Sequence, residues 1–289
     1  MSLWNRLQEE YYKGNSAIRQ IIIINLGVFI SSILVAVFGR LMVFDASNIL
    51  KYFYLPSDLS TFIWQPWSFL TNIFFHDTGG IRHIFWNLIT LYFIGRLLQD
   101  FLSSRQVWKI FLYGGLAGSF LFLFSYNIFP AFVEEKLLSR LLGASGGVTA
   151  IVVATGVHIP RYNVRPFNLF NIEMRWIALI LVLLDLVSFP NSANAGGLLA
   201  HIGGAILGAL YILHLQGKIE FPTFKFAPRS NMKVNRNSKR GAPPLSKKTV
   251  ENTGKPAQEE IDTILDKISQ SGYDSLTKKE KDLLFKASK

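Results

Sequence analysis

Long, almost uncharged apolar runs dominate this chain, and they dictate the solvent it must fold in. Residues 18–38 carry one charge, Arg19, among otherwise apolar or small polar side chains. A helix of about 20 such residues spans a hydrocarbon core. Inside that core only helices and closed barrels satisfy their own backbone polar groups. Five further runs follow, at 83–102, 107–128, 141–159, 175–190 and 197–216, the fifth short and with its start open toward Ile172. With 50% of 289 residues hydrophobic, the expected fold is an all-α polytopic membrane protein with a six-transmembrane-helix bundle. The first run is too long for a signal-peptide core, and Glu9 and Glu10 do not suit a transit peptide, so it is expected to be retained.

The basic residues orient the bundle. Residues 1–216 hold 14 Lys+Arg and 10 Asp+Glu, whereas 217–289 hold 16 and 9. The connection after the second run carries Arg96, Arg105 and Lys109; that after the fourth carries Arg161, Arg165 and Arg175; that after the fifth carries no charge. Under the positive-inside rule both termini are cytoplasmic. Runs two, four and six then point from outside to inside. The expected partition is a cytoplasmic segment 1–17, a membrane domain 18–216 with a long external loop at 45–82, a basic linker 217–256 and a small two-helix extension 257–289. The external loop is rich in aromatics, with Trp64 and Trp67 suited to the headgroup level, and short helices lying in the outer leaflet are expected there. Residues 221–250 hold eight Lys/Arg, no acid and four prolines; such a segment stays disordered and suits contact with anionic lipid headgroups or a solvated spacer. The basic charge does not imply nucleic-acid binding. In the extension, Ile261, Ile264, Leu265 and Ile268 form one stripe. After a break at Gly272, Thr277 and Glu280 have capping-box spacing ahead of Leu283, Leu284 and Phe285. Its partner is unknown.

Three runs carry polar groups near one membrane face. Ser145 stands in Gly143-Ala144-Ser145-Gly146-Gly147, about five residues in from Arg140, or about 7 Å of helix rise. His201 lies equally far from Gly196. His83 and Asn87 occupy the first turn of the second run on one helix face. Reactive groups inside a membrane are costly and by default mark function. Taken singly, each has a plain explanation. Gly143–Gly147, like Gly114–Gly118 and Gly204–Gly208, is also a small-residue packing motif. His201 also fits an interfacial histidine, and His83 with Asn87 a helix start among headgroups. Together, at one depth, they suit nucleophilic catalysis. A serine hydroxyl needs a base, histidine has the pKa for it, and Asn87, His83 and the Ser145 amide can donate to an oxyanion. Glycines beside Ser145 allow close approach of a neighbouring helix or a substrate backbone.

Other chemistries fit less well. The chain has no cysteine, so no thiolate nucleophile or disulfide framework exists. There is no HExxH motif and no paired intramembrane aspartate. His76, His158 and His214 do not converge on this layer with metal spacing. No cofactor or metal is expected. The order Ser145, Asp185, His201 matches an α/β-hydrolase triad, but that motif requires a strand–turn–helix setting. Asp185 lies at a matching depth and is read first as a structural hydrogen-bonding group, with an orienting role toward His201 as the alternative.

At these residues the chain resembles the rhomboid intramembrane serine proteases. The matching segments are His83-Ile84-Phe85-Trp86-Asn87, Gly143-Ala144-Ser145-Gly146 and Ala200-His201-Ile202-Gly203-Gly204, in the family's order over roughly residues 18–216. The resemblance implies a Ser145–His201 dyad without a third acid. It also implies oxyanion and substrate stabilisation by His83 and Asn87, with Gly143 and Gly146 lining the site. The fifth helix would gate substrate access, and the substrates would be transmembrane proteins cleaved near the outer face. The small C-terminal extension resembles that of some bacterial members and implies a bacterial inner membrane. Two positions depart from the usual pattern: Ser68 follows Trp67 where arginine is common, and Thr149 stands four residues after Ser145 where an aromatic is common. The rival reading is a catalytically inactive relative that binds or chaperones membrane clients.

Overall fold

The computed structural model describes residues 16–165, 169–191, 194–220 and 258–287. The N-terminal segment and almost all of the basic linker lie outside these residues. The chain divides into two compact units, Met1–Phe224 and Lys225–Lys289.

The first unit is built on helices α1 (Ala17–Leu41), α2 (Arg82–Thr90), α3 (Ser104–Ile128), α4 (Ser145–His158), α5 (Met174–Ser188) and α6 (Ala195–Leu215). Helix α2 continues through a π-helical turn, Leu91–Gly95, into Arg96–Gln99. Among the described residues only α1, α3 and α6 are long and apolar enough by themselves to cross a membrane. All six predicted runs are largely helical, yet α4 has 14 residues, a rise of about 21 Å. Every residue of α4 from Gly146 to Gly156 is buried. A helix enclosed by its neighbours need not match the bilayer's thickness. Helix α1 is the opposite case: Leu26, Ile30, Leu34, Val37 and Phe38 are exposed, as a lipid-facing helix requires.

Helices α3, α4 and α6 form the centre, and α5 packs chiefly on α4. Their approach is glycine-dependent. A Cβ at Gly204 would collide with the Gly146 carbonyl oxygen, and one at Gly208 with that of Ala150. The small-residue pairs of α3 and α6 are therefore packing motifs, as small-xxx-small spacing suggests.

The loop between α1 and α2 contains the short helices Ser47–Leu50, Leu59–Trp64 and Ser68–Thr71. Trp64 is 83% exposed, in keeping with an interfacial indole. The loop is anchored through its backbone. Trp67 Nε1 donates to the Tyr52 carbonyl at 2.9 Å and Thr71 Oγ1 to that of Phe53 at 2.8 Å. Strand β1 (Leu55–Pro56) pairs antiparallel with β2 (Arg140–Leu141). Ser68 is fully buried, so the position that often carries arginine is here a small core group.

In the second unit, α7 (Gln258–Ser271) and α8 (Lys278–Ala287) are separated by Gly272 at φ +77. The capping box forms: the Thr277 amide donates to Glu280 Oε2 at 2.7 Å, and the Glu280 amide to Thr277 Oγ1 at 3.4 Å. The bond from the Thr277 amide holds the Glu280 carboxyl down at about 2, with Lys267 and the Thr277 hydroxyl adding to the shift. Ile264 and Leu276 are buried, whereas Leu265 is exposed. The side chain of Phe285 lies outside the described residues.

Candidate active site

The site is assembled where α4 begins. The predicted fourth run starts at residue 141, but Arg140 and Leu141 are held in the β1–β2 pair. Gly143 then turns at φ +128, a conformation open to glycine and strained for other residues. Its amide donates to the Asn72 carbonyl at 2.9 Å. Ser145 is therefore the first residue of its helix and does not lie one turn inside it. Amides in a helix's first turn have no intrahelical acceptor and meet the positive end of the helix dipole. The Ser145 and Gly146 amides occupy that position, where a developing oxyanion is favoured.

Helix packing brings the other groups in. A Cβ at Gly146 would lie 3.2 Å from the carbonyl oxygen of Ala200, the residue before His201. The neighbours of Ser145 and His201 are thus in contact, and both side chains are partly exposed. Among the described residues the Ser145 hydroxyl makes no hydrogen bond. His201 Nδ1 lies 3.0 Å from Asp185 Oδ2 on α5. A Cβ at Gly143 would lie 2.5 Å from His83 Cε1, so the missing side chain at Gly143 makes room for the His83 ring.

Sequence reasoning set His76 apart from this layer, and the structure corrects that. His76 is fully buried in the loop before α2. Its Nε2 lies 3.1 Å from Asn87 Nδ2 and accepts from the Ala144 amide at 3.4 Å. Its ring centroid is 5.2 Å from that of His83. An Nε2 that accepts requires the proton on Nδ1, so His76 fixes one N–H of Asn87 and leaves the other free. His76 thus belongs to the layer, although among the described residues no group of three or more His, Asp or Glu could hold a metal ion. No periodicity marks a loop histidine. The available signal was its place 11 residues before Asn87, within reach of the same helix start.

Burial pushes His76 down to about 4, and the neighbouring His83 adds to the shift. The unfolded ring takes a proton near pH 6.5, whereas the folded ring resists it until about pH 4. Stability is expected to fall as pH drops from about 6.5 to about 4, by at most about 3 kcal/mol. Thermal unfolding in detergent across that window would measure it. His76→Gln should lose most of the slope; an unchanged slope would assign it to other groups.

Residues 63–218 match the model of the rhomboid domain, slightly more than half of the chain. The chain belongs to the rhomboid family. The match to the rhomboid domain contains all of His83, Asn87, Gly143, Ser145, Gly146 and His201. Residues 252–289 match a second model, a family of unknown function (DUF6576). A curated relative is "RHOMBOID-like protein 12, mitochondrial" of Arabidopsis thaliana, 28% identical over 150 residues. The match spans 49% of this chain and 44% of that protein, so this rhomboid aligns with less than half of its relative. Family membership and the apolar helices make it an integral membrane protein.

Proposed function

We propose that this rhomboid is an intramembrane serine endopeptidase that cleaves transmembrane helices near their outer ends. The observation that carries the reading is the contact between Gly146 and Ala200. It brings the residues next to Ser145 and His201 into contact, which supports pairing nucleophile and base at the start of a buried helix. In this reading His201 takes the Ser145 proton, Ser145 attacks the scissile carbonyl, and His201 returns the proton to the leaving amine. The Ser145 amide, His83 and the free N–H of Asn87 stabilise the oxyanion. Gly143 makes room for the His83 ring, and Gly146 lets α4 and α6 approach closely. No cofactor takes part.

Substrates are membrane proteins that enter sideways from lipid. Small residues at the cut and a weak helix below it favour them, because a helix must unwind before its carbonyl can be attacked. In this reading the chain crosses the membrane six times with both termini cytoplasmic, for which the six helical runs and the basic connections speak. A bacterial inner membrane rests on the resemblance of the C-terminal extension alone. The 18–216 membrane domain would act through the outer leaflet.

The test is cleavage of a panel of single-span reporters in membranes by wild type, Ser145→Ala and His201→Ala at equal expression. Cleavage by wild type that both variants lack supports the reading, and residual cleavage by Ser145→Ala would overturn the nucleophile. A folded wild type that cuts no reporter but captures them would favour client binding. The unbonded Ser145 hydroxyl is the one observation that suits this second reading.

A further inference from the structure

We infer that Asp185 is a positioning residue for His201, so that the base is held by a carboxylate on the neighbouring helix. The inference rests on the protease reading. Helix α5 is Met-Arg-Trp-Ile-Ala-Leu-Ile-Leu-Val-Leu-Leu-Asp-Leu-Val-Ser, and Asp185 is its one acid. An ionised group in an apolar helix is costly and needs a partner. Asp185 Oδ2 finds one in His201 Nδ1 at 3.0 Å, with both side chains mostly shielded. Among the described residues no other hydrogen bond and no stacked ring restrains His201.

The chemistry follows from the atoms. A carboxylate only accepts, so the shared proton sits on Nδ1. A neutral imidazole carrying its proton on Nδ1 has its lone pair on Nε2, which is then the nitrogen that deprotonates Ser145. When that proton transfers, the imidazolium formed has the Asp185 charge beside it. Asp185 keeps its own charge throughout and gains no proton. The contact also joins two helices at a loosely packed place. In α5 only Met174 and Ala178 are buried, both near its start, whereas Leu183, Leu184, Leu186 and Val187 around Asp185 are exposed. A purely structural bond at such a place would stabilise α5, while an orienting bond would act on the rate.

Full-length wild type, Asp185→Asn, Asp185→Glu and Asp185→Ala would be compared on a cleaved reporter, with Ser145→Ala as the blank. Asparagine preserves shape but can donate to Nδ1 and so favour the unproductive tautomer. Asp185→Asn is expected to lower kcat by about 10²–10⁴-fold with KM within about threefold, and Asp185→Glu to recover part of the loss seen in Asp185→Ala. In parallel, ¹⁵N shifts of His201, assigned by their loss in His201→Gln, should show the Nδ1–H tautomer in wild type and its loss in Asp185→Asn. Wild-type kcat in Asp185→Asn, or an unchanged tautomer, would overturn the inference. If wild type shows no Ser145-dependent cleavage, the protease reading falls on its own. The ring shifts would still decide whether Asp185 fixes His201.

Discussion

Ser145→Ala is expected to reduce reporter cleavage by about 10⁴–10⁶-fold, to the level of membranes lacking the protein. The magnitude follows from what the hydroxyl does in the proposed reaction. Without it no acyl-enzyme forms, and water would have to attack a helix carbonyl directly. Loss of a serine nucleophile or its histidine base is known to cost factors in this range, equivalent to about 5–8 kcal/mol of barrier. Because the two act as one unit, His201→Ala should lose nearly as much, and the double variant no more than either alone. Asn87→Ala would remove one of the proposed oxyanion donors and should cost about 10²–10³-fold. A ranking with Asn87→Ala far below Ser145→Ala would remain after correction for protein level. Equal, small losses in all three would indicate a shared structural effect and count against the assigned chemistry. Serine replaced by alanine at a partly exposed helix start should barely move the unfolding midpoint, so stability and activity separate cleanly at this position.

Much of this arrangement is legible in the residues, for identifiable reasons. Apolar runs fix the helices, because backbone groups have no other partner in lipid. Counting helix rise inward from Arg140 and Gly196 puts Ser145 and His201 at one depth. Residues 140–144 are not helical, however, so the count from Arg140 does not hold. The contact of Gly146 with Ala200 comes from how α4 and α6 pack. The helix start at Ser145 was hidden, since it depends on Leu141 pairing with Leu55 across a long separation. The turn at Gly143 is a local signal, but glycine beside a serine in an apolar run reads equally well as a packing motif. His76 was hidden too: its neighbours Asn87 and Ala144 lie on other elements, and only the fold of the loop brings them together. Asp185 was visible as a costly acid, and its partner is set by how α5 lies against α6. The capping box at Thr277 and Glu280 was legible because it is wholly local.

Gly204→Ala is expected to be the most damaging single methyl in the membrane domain. In an ordinary helix the change from glycine to alanine gains roughly 1 kcal/mol of propensity. At Gly204 the added Cβ would meet the Gly146 carbonyl oxygen with the Gly146 carbonyl carbon behind it at 2.9 Å. Backbone cannot rotate out of the way as a flexible side chain can. Overpacking of this kind costs about 1–3 kcal/mol and occasionally more, so the steric cost exceeds the propensity gain. Gly27 supplies the contrast, because a Cβ there meets nothing within 4 Å. Gly27→Ala should therefore be neutral or slightly stabilising. The damage at Gly204 should also reach the chemistry. The Gly146 carbonyl belongs to the residue after Ser145, and His201 lies three residues before Gly204 on the same helix. Pushing α6 away from α4 therefore separates nucleophile from base. Thermal unfolding and reporter cleavage measured on both variants would check this. Gly204→Ala should lower the midpoint and lose cleavage beyond what its lowered folded fraction explains, while Gly27→Ala keeps both. A Gly204→Ala protein that keeps its midpoint and its cleavage would mean that the two helices can part without disturbing the site, and the close backbone contact would then not be what sets Ser145 against His201.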